Sequence, residues 1–273
     1  MARRAFTNSN PALSDAAFER IAESEAGWAA ATQQRVQEDY AAPPVTRTDT
    51  MTVSGTVWAT AALLVLVVGA GIYGWNSVDT AVDNPSIPGW TFLVMLVGFG
   101  VAMVTCFKPA LARFTAPLYA LLEGAFLGVI SKLYNDLWNG IAYQAVALTI
   151  GVFAVMLFLY GTRIIKVTEK LRMGIVAATA AVCLVYVVNL VFTLFGAHLP
   201  YLHQTGAIGI AISLAIVGVA AFNLLLDFDF VERGVAAGAP AKVEWYAAFG
   251  LLVTIVWLYL ELLRLLAILQ GRD

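Results

Sequence analysis

Residues 53–75 read VSGTVWATAALLVLVVGAGIYGW, a run without a single ionisable side chain. A helix rises about 1.5 Å per residue, so about 20 apolar residues cross the hydrocarbon core of a bilayer. Six further apolar stretches follow, at roughly 89–107, 115–134, 141–162, 173–196, 206–228 and 245–269. No water is available inside a bilayer, so each stretch must satisfy its own backbone as a helix. The expected fold is therefore all-α: a polytopic membrane protein built as a seven-transmembrane-helix bundle over residues 51–273. Short connections make sequential helices antiparallel neighbours.

Composition agrees with that reading. The chain of 273 residues is 60% hydrophobic and 12% charged, with a mean hydropathy of +0.80. Soluble domains are about 45–50% apolar and about 25% charged. A net charge of -2 supplies no basic footprint for nucleic acid. Cys106 and Cys183 lie in apolar stretches and read as small hydrophobic fillers without metal or redox spacing. Residues 1–50 are polar, mix both signs of charge and hold few large apolar residues. They read as a flexible cytoplasmic N-terminal arm and lack the apolar core of a secretory signal peptide.

Loop charge sets the expected orientation. The first, third and fifth loops hold Asp79 and Asp83, then Lys132 at an edge, then His198 and His203. The second holds Lys108 and Arg113, the fourth Arg163, Lys166, Lys170 and Arg172, and the sixth Arg233 and Lys242. The alternation places the N-terminus in the cytoplasm and the C-terminus outside. Trp58, Trp75, Trp90, Trp138 and Trp245 sit near span ends, where interfacial anchors belong. His198 and His203 flank Pro200 in a short outer loop and read as surface residues.

Ionisable groups inside spans are costly and therefore mark function or specific pairing. The candidates are Glu123 in the third span, Asp227 and Asp229 at the end of the sixth, and Glu261 with Arg264 in the seventh. At about 100° per residue, Gly206, Gly209, Ser213, Ala220, Asn223 and Asp227 share one side of the sixth helix. That small-residue face points Asp227 into the bundle. Asp229 falls on roughly the opposite side, where Asp229, Glu232 and Arg233 also fit a solvated helix end. Ala247, Gly250, Thr254 and Glu261 share a face of the seventh helix. Arg264 follows one turn later as a local partner of Glu261 or an interface snorkeller. Gly124 and Gly128, next to Glu123, form a close-approach surface. Carboxylates brought together share a proton and, once deprotonated, attract Ca2+, so Asp227, Asp229 and Glu261 are also the candidate metal ligands. One geometric tension remains: Glu261 lies about 24 Å along the helix from Trp245, while Asp227 sits near the cytoplasmic end of the sixth.

Three stretches resemble the Bax-inhibitor family, also called the transmembrane Bax inhibitor motif family, in its bacterial YccA-like branch. They are Pro117 to Gly128 (PLYALLEGAFLG), Leu226 to Asp229 (LDFD) and Leu258 to Glu261 (LYLE). The likeness covers about residues 50–270. It implies a central helix surrounded by six others, and a pH-sensitive Ca2+ leak of the bacterial plasma membrane governed by two acids. Carried over, the gating, proton-sharing acids are Asp227 or Asp229 on the sixth span and Glu261 on the seventh, where the family usually has Asp. It also implies a basic partner for the pair at the end of the second span, Lys108 or Arg113. Glu123, Arg264 and Asn223 are supporting residues.

The expected function is thus a Ca2+ leak gated by a buried carboxylate pair, with Ca2+ and protons as its small partners, no cofactor and no enzymatic activity. Two alternatives use the same features. A proton-coupled secondary transporter would employ these acids as proton carriers, although no two-fold internal repeat is visible. A non-transporting interaction protein would bind another membrane protein through the polar arm. An intramembrane hydrolase lacks its strings: neither Gly-x-Ser-x-Gly nor His-Glu-x-x-His occurs.

Overall fold

Thr52 ends an extended lead-in and caps the first helix, its side chain accepting a hydrogen bond from the Gly55 N–H. Caps of this kind satisfy one of the four orphaned N–H groups at a helix start. The computed structural model describes residues 50–79, 87–195 and 206–271. The arm over 1–49, Asp83, His198 and His203 lie outside these residues. Thr50, assigned to the arm from sequence, forms an antiparallel bridge with Pro240.

Among the described residues there are seven α-helices: α1 (Val53–Asn76), α2 (Trp90–Phe107), α3 (Ala112–Leu137), α4 (Ile141–Gly161), α5 (Glu169–Leu194), α6 (Ala207–Ala236) and α7 (Val243–Gln270), with a 3-10 turn at Pro109–Leu111 between α2 and α3. All seven are long and apolar enough to span a membrane. Large apolar side chains such as Val65, Phe99, Ile150 and Leu184 are 60–70% exposed at mid-helix. In water such surfaces would associate; in a bilayer they face lipid. Cys106 and Cys183 are free and exposed on these outer faces. The α3–α4 connection turns at Gly140, whose φ of 84° lies in the left-handed region that glycine enters without steric cost.

α7 lies at the centre. It packs against α1, α3, α4 and α6, and 67% of its most apolar window is buried, against 6% for α5. It feeds two apolar clusters. Phe249, Leu252, Val256 and Leu263 join Leu63, Tyr119, Leu127 and Ile141 on one side. Leu251, Leu258, Leu262 and Leu265 join Val217, Leu224, Leu225 and Phe228 on the other. The lead-in strand is tied to the same centre: Met51 N–H donates to Ala239 C=O at 2.6 Å, and Thr52 N–H and Oγ1 both donate to Glu244 Oε1 at 2.8 and 2.9 Å.

One boundary differs from the sequence expectation in a way that matters. The sixth span was expected to stop near 228, but α6 continues to Ala236. Asp227 therefore sits nine residues, about 13 Å, inside its helix. The polar run Asp229–Glu232–Arg233 lowers hydropathy without breaking a helix, because its charges pair with neighbouring residues.

The tightest seam joins α1 to α3. A Cβ on Gly128 would stand 2.0 Å from the Gly71 carbonyl oxygen, and one on Gly124 2.4 Å from that of Val67. These glycines let two backbones touch, a contact that dispersion alone can hold in lipid. We expect Gly128→Ala to destabilise the fold by about 1–3 kcal/mol through overpacking, read as a lower melting temperature in detergent. Gly151→Ala, where a Cβ would meet open space, should leave it unchanged or raise it. Equal melting temperatures for both variants would contradict the seam.

Candidate functional site

α6 carries three acids on different faces, and each finds a different environment. Asp227 points at α7: one of its oxygens lies 3.7 Å from the Cβ position of Gly250, and the Thr254 side chain is its polar neighbour there. Its Oδ2 is inaccessible and lacks a hydrogen-bond partner.

Asp229, two residues on, faces α5. It pairs with Arg172 and with Arg233 of its own helix, each at 2.8 Å. Glu232 turns to α4, where it accepts from the Tyr160 hydroxyl and the Arg163 guanidinium. Arg163 has φ 59° in the cap that ends α4, where its N–H bonds Tyr160 C=O. That position is usually glycine, and a side chain there costs roughly 1–2 kcal/mol. The backbone so turned aims the guanidinium at Glu232.

Glu261 lies deep in α7 and is 4% exposed. Arg264 pairs with it at 2.8 Å, the Tyr186 hydroxyl donates to it, and Arg264 also donates to Tyr186 at 2.6 Å. Thr254, the α7 partner of Asp227, precedes Glu261 by seven residues, about 10 Å along the axis. The sequence-derived acids are thus not one cluster: Asp227 faces Thr254, Asp229 faces Arg172 and Arg233, and Glu261 faces Arg264 and Tyr186. Direct proton sharing between the sixth- and seventh-helix acids does not occur in this arrangement. Among the described residues, no group of three or more His, Cys, Asp or Glu is placed to hold a metal ion. The reason is the extended α6: the two helices run past each other, and Asp227 meets α7 at the level of Gly250–Thr254 instead of at Glu261.

The supporting residues are also dispersed. Asn223 donates to Thr179 of α5 at 2.8 Å and to Val219 C=O at 2.9 Å. Glu123 is half-buried at the α2–α3 contact, its Oε2 3.9 Å from the Cβ position of Gly98. Lys108 and Arg113 are exposed and form no ion pair among the described residues.

Sequence reading passed over the side of α5. Arg172, Thr179 and Tyr186 are seven residues apart, so they share one face of the helix. They bond in turn to Asp229, Asn223 and the Glu261–Arg264 pair. This helix has little apolar burial, and it is held along its length by polar contacts. The seven-residue spacing was available in the sequence, but no single member of it is an unusual residue for a span end or a helix face.

The class that emerges is a seven-span helical membrane protein whose central helix carries an ion pair with a buried glutamate and faces a half-buried aspartate that has no ion pair among the described residues. A family model described as Bax inhibitor 1 like matches residues 10–271, and the chain belongs to that family. No curated protein matches it.

Removing one member of a buried ion pair costs about 3–5 kcal/mol, because the other charge is left uncompensated. Arg264→Met should therefore lower the melting temperature sharply, and Glu261→Gln combined with Arg264→Met should recover most of the loss. A double variant no better than the single one would show that the pair is not energetically coupled.

Proposed function

We propose that this protein is a pH-sensitive leak for Ca2+ in a bacterial plasma membrane, with its N-terminus in the cytoplasm and its C-terminus outside, and that it acts without enzymatic chemistry. Asp227 is the gating acid. One observation carries the reading: a carboxylate oxygen of Asp227 is shut away inside the transmembrane bundle and Asp227 has no cationic partner among the described residues, whereas Asp229, Glu232 and Glu261 each have one. A carboxylate so placed needs a proton, a cation or water to offset its charge. Ca2+, a hard cation that prefers oxygen ligands, is a natural competitor for that proton. The polar seam between α5 and α6–α7 supports the reading further, since it brings hydroxyl, amide and carboxylate oxygens into the depth of the bundle. Glu261 is a fixed structural charge here, held by Arg264 and Tyr186.

The bacterial and orientation assignments rest on the YccA-like motifs and on the loop charges. The family likeness supports a membrane protein and leaves the ion to be measured.

The test is reconstitution of the full chain into liposomes with an internal Ca2+ dye. Wild-type flux should differ between acidic and alkaline buffer. Asp227→Asn, which fixes an uncharged side chain, should flatten that response, while Asp229→Asn and Glu261→Gln should retain it. Flux that ignores pH, or a pH response that survives Asp227→Asn, would remove the proposal. Uphill solute movement driven by an imposed pH gradient would favour a transporter instead.

A further inference from the structure

A recess of about 580 Å3 opens on the side of the bundle between α1 and α4. Its floor is made by α3 and α7 and includes Gly124, Gly128 and Val256. Its rims are Val68 and Ile72 of α1 and Val146 and Ile150 of α4, all between 46% and 63% exposed. α1 and α4 are not packed against one another along the recess. They meet at one end, where the Trp75 and Tyr143 rings lie 6.2 Å apart and close the channel like a lintel. Lys132 stands over the Trp75 ring at 5.7 Å and pairs with Asp136 at 2.5 Å.

The chemistry of the walls restricts the occupant. The floor hydroxyls are already engaged, Ser131 Oγ and Tyr259 OH sharing a hydrogen bond at 2.6 Å, and on the α4 wall Thr149 Oγ1 donates to Ala145 C=O at 2.7 Å. The floor therefore offers an apolar guest shape and dispersion, and no polar partner to a charged or hydrogen-bonding one. The lining residues belong to membrane-spanning helices, so the guest arrives from the bilayer. A transmembrane helix is about 10–12 Å across with its side chains, too broad to run beneath the rims where they converge on the Trp75 and Tyr143 rings, 6.2 Å apart. A single methylene chain is narrow enough.

We propose that this recess is a binding site for one acyl chain of a membrane phospholipid. The chain lies along the Gly124–Gly128 floor, and its glycerol end lies at Trp75 and Tyr143, residues of the type that sits at headgroup level. The site selects the chain and not the headgroup, because Lys132 is already neutralised by Asp136. The close approach of α1 and α3 at their glycines, which forms the fold's tightest seam, also lowers the floor that the acyl chain fills.

The experiment uses the full chain purified in mild detergent and reconstituted with a phosphatidylglycerol carrying a diazirine on its acyl chain. After illumination, peptide mapping locates the adducts, and native mass spectrometry counts lipids retained in detergent. Label should concentrate on Val68, Ile72, Val146 and Ile150, with one lipid retained per chain. Val146→Trp and Ile72→Trp, each filling the recess from an exposed rim, should reduce both signals several-fold. Leu184→Trp, on the outer face of α5, should change neither. Label spread evenly over α5 and the recess, retention unchanged in both rim variants, or cross-links to a second copy of the chain at the rims would each overturn the proposal.

Discussion

Burial of most of α7 is the constraint on which the other elements depend. Lipid offers no hydrophobic drive for helices to associate, because acyl chains are as apolar as leucine. A helix reaches the centre only if packing on every side of it outcompetes lipid. α7 achieves this by presenting two distinct apolar faces, one to α1, α3 and α4 and the other to α4 and α6. Small residues at Ala247, Ala248 and Gly250 let α6 and α1 approach its first turns. The outer helices then take their positions relative to this axis, and their remaining faces are left to the bilayer.

Polar groups within such a bundle must be satisfied locally, and this protein does so in three ways. Most span hydroxyls bond back to the carbonyl four residues earlier, as Thr60, Ser131 and Thr149 do. Most acids of α6 and α7 pair with arginines. Asp227 has no arginine partner among the described residues, and its polar neighbour is the neutral Thr254 side chain.

α5 is the counterpart of α7. Its polar contacts at Arg172, Thr179 and Tyr186 replace the apolar burial it lacks. Hydrogen bonds inside a membrane average well under 2 kcal/mol each because unpaired groups find other partners. A helix held this way is less firmly packed than one held by interlocking leucines, and it covers the faces of α6 and α7 that carry Asp229, Asn223 and Glu261.

From sequence, the length and apolarity of each segment determined seven helices, since a backbone in oil has one economical conformation. The spacing of Gly124 and Gly128 determined that α3 would touch another helix closely, though not that α1 would be the partner. The residue types at 227, 229 and 261 marked which positions needed an explanation. Their pairing was decided only in three dimensions. The continuation of α6 to Ala236, permitted because Asp229 and Glu232 find arginine partners, set the level at which Asp227 meets Thr254 and left Glu261 to Arg264 and Tyr186. Helical periodicity tells which side of its own cylinder a residue occupies; how far two cylinders slide along each other depends on contacts between residues remote in the chain, and no local pattern encodes that offset.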